Sequence, residues 1–185
     1  MNREILFRAK CAGVWRYGNY VHLNKKSIHD CYNSEYRDFI VVNEVDGEHY
    51  YPIIDLETLG QYTGLQDKNG KQIFEGDIIQ YYTLKSFCIN PDCDLTIQGY
   101  GSRLIKEIRE VQYLNASFGV DEKSGNYSRL DYCGICKKLF KTIKEMADNN
   151  DAYFNTNGYK IDNSIVGIKV IGNVYENYGL IEPII

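Results

Sequence analysis

The sequence has no long apolar run. Phe39-Ile40-Val41-Val42 is among the longest, far short of the roughly 18 residues that span a bilayer. The opening Met1-Asn2-Arg3-Glu4-Ile5-Leu6-Phe7 lacks the apolar core of a signal peptide, and polar residues resume at Arg8. A cytoplasmic protein without membrane contact is expected. An excess of positive charge is missing too: 21 lysines and arginines face 25 aspartates and glutamates, for a net charge of −4. Nonspecific nucleic-acid binding rests on a clustered cationic face that neutralises phosphates. The densest cationic run, Lys137-Lys138 with Lys141 and Lys144, lies beside Glu145 and Asp148 and reads as a solvated helix face. Nucleic acid is not the expected partner.

Proline occurs only three times, whereas tyrosine occurs 17 times. Tyrosine fits half-buried pleated surfaces, so pairs such as Tyr81-Tyr82 read first as strand packing. At 185 residues the chain fits one large domain or two small ones. A chain of this size buries roughly 70% of its unfolded surface and needs no disulfide or metal to fold. In a reducing compartment its six cysteines are free thiols or metal ligands. Asn115-Ala-Ser117 and Asn126-Tyr-Ser128 match the glycosylation pattern, which carries no information without secretion.

Short apolar runs broken by turn residues fill the N-terminal part. Residues 5–7, 14–17, 20–23, 39–42 and 50–54 read as strands, with turns expected at Tyr17-Gly18-Asn19-Tyr20 and Val45-Asp46-Gly47-Glu48. The most informative stretch follows at 60–82. Asn69-Gly70 predicts a two-residue type I′ turn, in which both residues need positive φ. The β-branched and aromatic run 73–82 predicts a strand, with a bulge or bend at Gly76-Asp77. Residues 83–103, with Cys88-Ile-Asn-Pro-Asp-Cys93 and Gly99-Tyr-Gly101, read as loop. A hairpin is expected from 108–113 and 118–120. Leu139, Phe140, Ile143, Met146 and Ala147 share one face of a helix near 135–148. A last strand is expected at 165–174.

Two stretches resemble the signature of the YopX family, small proteins of bacterial chromosomes and prophages. They are Gln61-Tyr-Thr-Gly-Leu-Gln-Asp-Lys-Asn-Gly-Lys-Gln-Ile-Phe-Glu-Gly-Asp-Ile-Ile79 and Val170-Ile-Gly-Asn-Val-Tyr-Glu-Asn177. The opening Arg3-Glu4-Ile5-Leu6-Phe7-Arg8-Ala9 matches in its Phe-Arg-Ala core, but Lys10-Cys11 stand where the family has an aromatic and an acidic residue. The pieces bracket the chain, so a single YopX-like domain over 1–185 is expected, with an enlarged middle at about 83–165. The resemblance implies a mainly β fold, part of it like a small SH3-type barrel with additional antiparallel strands. It implies no catalytic residues, since the family's biochemical role is undefined.

Candidate chemistry is sparse. Cys88, Cys93, Cys133 and Cys136 are four soft ligands of the kind zinc takes, and Cys133-Gly-Ile-Cys136 has the two-residue spacing that brings both sulfurs to one ion. The first pair has four intervening residues and 39 separate the halves, both long for a zinc ribbon, so free thiols are preferred and no metal ligand is assigned. A redox pair at Cys133 and Cys136 wants a βαβ setting that the pattern lacks. Asp67-Lys-Asn-Gly70 places its glycine fourth, where a calcium loop has it sixth, and reads as a turn. The three histidines are His22, His29 and His49. Cys31 shares a strand face with His29, but Asp30 faces away, so no hydrolase constellation forms. Glu75 and Asp77 share a face by period two and read as acceptors at a bulge before they read as an acid–base pair. No catalytic residue, cofactor or metal is therefore expected. The chain reads as a phage-derived accessory protein acting by protein binding or self-assembly. An enzyme or binding module acting on phage or host nucleic acid is the alternative.

Overall fold

In a computed structural model of the protein, the described residues are 5–24, 36–43, 49–88, 100–114, 116–121, 127–151 and 153–181. The chain divides into two compact units, one of Met1–Gln66 with Gln72–Gly76, the other of Asp67–Lys71 with Asp77–Ile185. Strands dominate both, as the alternating sequence predicts.

The first unit contains β1 (Phe7–Cys11), β2 (Val14–Asn24), β3 (Tyr36–Asn43), β4 (His49–Tyr50), β5 (Asp55–Gln66) and β6 (Gln72–Phe74). They form one antiparallel sheet in the order β4-β3-β2-β1-β5-β6. The expected turn at 17–20 is not there: β2 runs straight through it. The chain reverses instead at Ala12 and Gly13, whose φ values of 48° and 80° are both left-handed, as a two-residue type I′ turn requires. Gly18 serves close approach, since a Cβ there would meet the Val41 carbonyl oxygen at 1.9 Å. The turn expected at 45–48 lies outside the described residues.

Ala9, Ile40 and Ile54 form the buried core of this unit, flanked by Phe7, Tyr20, Val42 and Leu59. The sheet curls around them. Ile54 N donates to the Asp38 carbonyl at 3.1 Å, and a single isolated bridge joins Phe39 to Ile53. These contacts bring the residues just before β5 to the edge of β3 without making a ladder, and among the described residues no barrel closes.

The second unit holds β7 (Asp77–Cys88), β8 (Tyr100–Glu110), β9 (Gln112–Leu114), β10 (Ser117–Asp121), β11 (Tyr127–Arg129), α1 (Lys137–Asp148), β12 (Phe154–Asn155), β13 (Ile168–Asn173) and α2 (Val174–Asn177). One sheet has the order β12-β8-β7-β13 and another the order β11-β10-β9. Residues 83–88 and 100–103 are not loop, as the sequence suggested, but the outer half of a long hairpin pairing Ile78 with Glu110 through Cys88 with Tyr100. Tyr82, Leu84 and Leu104 alternate onto one face, where Ile135, Ile143 and Ile165 complete a core. Burial on that face holds together strands whose other positions are polar. Gly101 belongs to this packing, since a Cβ would fall 2.7 Å from the Phe87 ring and 2.9 Å from the Tyr153 carbonyl oxygen.

The expected hairpin reverses between Leu114 and Ser117, but its first strand is split: Ile108 lies in β8, and β9 alone pairs with β10. Helix α1 forms where predicted, capped by Cys136, whose sulfur accepts from Leu139 N at 3.5 Å. Ile143 is fully buried and Phe140 half-buried, while Leu139 stays exposed. Lys137, Lys138, Lys141 and Lys144 are all exposed, the solvated face that was expected.

Candidate functional site: a cationic cleft along β8

The motifs singled out in the sequence prove to be scaffolding. Asp67 is buried, and its carboxylate accepts the backbone amides of Asn69 at 2.7 Å, Lys71 at 3.0 Å and Val170 at 3.1 Å. The turn it organises has three residues rather than two: Asp67 N donates to Lys71 O, Gly70 N donates to Asp67 O, and Gly70 has φ of 82°. Asn69 is not left-handed, so this is the three-residue loop with a left-handed glycine rather than a type I′ turn. Lys68 N donates to Ile168 O, which completes the seat of the turn within the second unit.

Arg8 ties the opening motif to the signature. It is buried, its guanidinium lies 4.8 Å from the Trp15 ring and 4.9 Å from the Phe74 ring, and Nη2 donates to the Glu75 carbonyl. In the last motif, Asn173 caps α2 by accepting from Tyr175 N and Glu176 N. Gly76 has the positive φ expected, 77°, but sits in the two-residue link from β6 to β7 instead of within a strand. That break cancels the period-two relation between Glu75 and Asp77: Glu75 is half-buried, and Asp77 is 1% exposed at the start of β7. Tyr81 is buried and Tyr82 packs edge-on to Tyr159 at 5.2 Å, which is strand packing.

The other candidates lie partly outside the described residues. His29, Asp30, Cys31 and Cys93 lie outside the described residues, as do the side chains of His49 and Cys88. Cys133 and Cys136 are reduced; the Cys133 thiol donates to Arg129 O at 3.4 Å, and Cys136 caps α1. Among the described residues no cluster of three or more metal-type ligands occurs. His22 is joined to the Asp38 carboxylate at 2.8 Å, and the Tyr20 hydroxyl donates to the same oxygen at 2.5 Å. The Tyr20 bond to Asp38, with burial and the nearby charge, pushes the phenol up to about 12. Asp38 is held below the usual carboxylate range by the Tyr20 bond, which outweighs the opposing effect of burial, and then by His22.

One site was not singled out from the sequence. A cleft of about 340 Å³ is lined by Lys85, Arg103, Ile105, Lys106, Glu107, Ile108 and Arg109. Four cations and one carboxylate line it. Lys85 and Arg103 stand directly opposite each other in the β7–β8 ladder, a like-charge pairing that costs stability. Glu107 lies between Lys85 Nζ at 3.0 Å and the Arg109 guanidinium. Arg109 is 5% exposed, Nη1 donates to the Ile108 carbonyl, and Nη2 donates to Glu107. Among the described residues its buried Nε has no hydrogen-bond partner, a state it shares with the Nε of Arg8. A buried guanidinium donor left unpaired is costly unless an anion reaches it. Acid–base or nucleophilic chemistry has no constellation in this cleft, whereas capture of an anionic group does. Sequence reading missed it because charges at alternate strand positions look like a solvent face, and only the ladder register gathers them.

The chain belongs to the YopX family: the family model described as YopX protein matches residues 6–182. Among solved structures it is similar to protein EF1440 from Enterococcus faecalis, at 21% identity over 98% of this chain and 100% of that one, with a TM-score of 0.39. No curated protein matches it. Among the described residues no helix is long and apolar enough to cross a membrane.

Proposed function

We propose that this YopX-family chain is a binding protein and not an enzyme, and that it recognises an acidic segment of a protein partner through the cleft along β8. The buried Arg109 Nε, which has no hydrogen-bond partner among the described residues, carries this reading, because it is a donor that folding leaves unused there. Lys85, Arg103 and Lys106 around it supply the charge that draws carboxylates in and sets their register. An extended polyanion is a poorer fit to a chain with a net charge of −4, in which only four of 21 lysines and arginines line this short cleft. The motif resemblance supports a phage-derived accessory protein working in the cytoplasm. The curl of the first sheet around Ala9, Ile40 and Ile54 supports descent from a small SH3-type barrel.

Fluorescence anisotropy at low salt with labelled octaglutamate, and with a labelled eight-nucleotide single-stranded DNA, tests the proposal. Octaglutamate should bind saturably, and replacing both Arg103 and Lys106 by Ala should weaken it roughly tenfold while the thermal melt is unchanged. Absence of saturable peptide binding overturns the reading. Tighter binding of the oligonucleotide, lost in the same variant, would put nucleic-acid recognition in its place.

A further inference from the structure

We infer that the acidic segment binds as an added β-strand on the outer edge of β8, an inference that rests on the cleft being a site for acidic protein segments. The lining of the cleft is the first ground. Ile105, Lys106, Glu107, Ile108 and Arg109 are consecutive, and all five line one cleft. Successive side chains of a strand point to opposite faces, so a single face cannot present five in a row. What such a run shares is its backbone edge.

The hydrogen bonding shows which groups that edge offers. Ser102 N donates to the Tyr153 carbonyl on the β12 side of the sheet, at 2.7 Å. A strand residue directs its N–H and C=O to the same side and its neighbours direct theirs to the other, and the β7–β8 register runs unbroken. Leu104, Lys106 and Ile108 therefore aim their N–H and C=O groups away from β7, like Ser102, but Leu104 is fully buried, so it is Lys106 and Ile108 that offer theirs to a partner. β12 covers only Ser102 and Arg103, and among the described residues no strand pairs with β8 beyond that point on this side. From 105 to 109 the open edge is about 16 Å long, a run for five strand residues. Arg109 Nη1 on the Ile108 carbonyl marks its far end.

An edge of this kind is a template for β-augmentation, in which main-chain bonds give affinity and side chains give specificity. Here the specificity is electrostatic. An incoming strand with carboxylates on both faces meets Lys85, Arg103 and Arg109 on one side of the sheet, and Lys106, opposite Tyr82, on the other. A neutral strand would gain the ladder without neutralising the like-charge pair Lys85–Arg103.

Fully N-methylated octaglutamate separates the mode of binding from the site. It keeps every carboxylate and loses every peptide N–H, so it should bind at least roughly tenfold more weakly than octaglutamate. Equal affinity overturns strand addition and leaves the cleft standing as an anion site; failure of both peptides to bind overturns the site as well. Hydrogen exchange of the free chain supplies a second readout. Octaglutamate at saturation should slow exchange at the Lys106 and Ile108 amides by at least roughly tenfold, with smaller changes at Ile105 and Glu107, which already pair with β7. Unchanged exchange at those two amides in a chain that demonstrably binds the peptide would overturn the inference.

Discussion

The Asp67 carboxylate accepts the Val170 amide at 3.1 Å, across 103 positions of sequence. Burial pushes this carboxyl upward, but the amides of Lys71, Val170 and Asn69 outweigh that effect and hold it below its ordinary value of 3.8. The signature turn is thus fastened by charge to the strand that carries the other resembling motif.

Replacing Asp67 by Ala should cost about 3 kcal/mol, because several amides lose a charged acceptor. Urea unfolding at neutral pH measures it. The sign with pH follows from the depressed folded value: the contribution is fully present above the unfolded pKa, about 4, and is lost as pH falls through the folded one. Asp67→Asn should therefore show a flatter stability curve than the parent below about pH 4. Parallel curves for the two proteins would mean that the carboxylate is not ionised in its seat.

Tyr20 gives a second test, at the other end of the scale. Its folded value is raised to about 12, so its contribution is complete below the unfolded value near 10 and disappears as pH rises through the folded one. Ultraviolet titration should show a phenol ionising near 12 whose amplitude Tyr20→Phe removes. A late phase of undiminished amplitude in that variant would contradict the Tyr20–Asp38 bond.

Two glycines should differ in degree. A Cβ on Gly70 meets open space, so Gly70→Ala pays only for its left-handed backbone, about 1 kcal/mol. A Cβ on Gly60 would lie 2.5 Å from the Glu75 carbonyl oxygen, and backbone cannot yield as a flexible side chain does. Gly60→Ala should cost about 2–3 kcal/mol. Glu75→Gln, with the backbone bonds intact, should change stability by less than about 0.5 kcal/mol. Thermal melts of the three variants rank them, and a reversed order of the glycines would show that the close approach relaxes freely.

Cys136 separates a cap from a metal ligand. Serine is a better N-cap, so Cys136→Ser should leave stability equal or raise it by about 0.5 kcal/mol. Elemental analysis of protein purified without chelator should find well under one zinc per chain. Stoichiometric zinc, lost together with stability in that variant, would make Cys136 a ligand.

Legibility in the sequence followed how local the determining physics was. The left-handed glycines at 70 and 76, the helix with Ile143 inward and the mainly β character rest on nearest neighbours or one period, and they could be read. The turn at Ala12-Gly13 was hidden because Ala seldom takes positive φ, while Gly18 drew attention by composition yet serves the approach of β3. The outer half of the β7–β8 hairpin was invisible because Lys85, Ser86 and Arg103 carry no strand signal; their partners, far along the chain, supply it. The cleft was beyond reach for the same reason. Lys85 and Arg103 lie 18 positions apart in sequence and meet only through the ladder.

The seat of Asp67 also sets an order of events at the ribosome. Every strand of the first sheet lies before Gly76, so that sheet can form while synthesis continues. The amide that Asp67 awaits comes 103 residues later. At about 5–20 residues per second that is a delay of roughly 5–20 s. Over that interval β7 has no β13 beside it, and Ile78 and Ile79 must be kept from unrelated strands. A nascent chain of this protein is thus half folded for most of its synthesis, and its second unit is completed only as its last strand emerges.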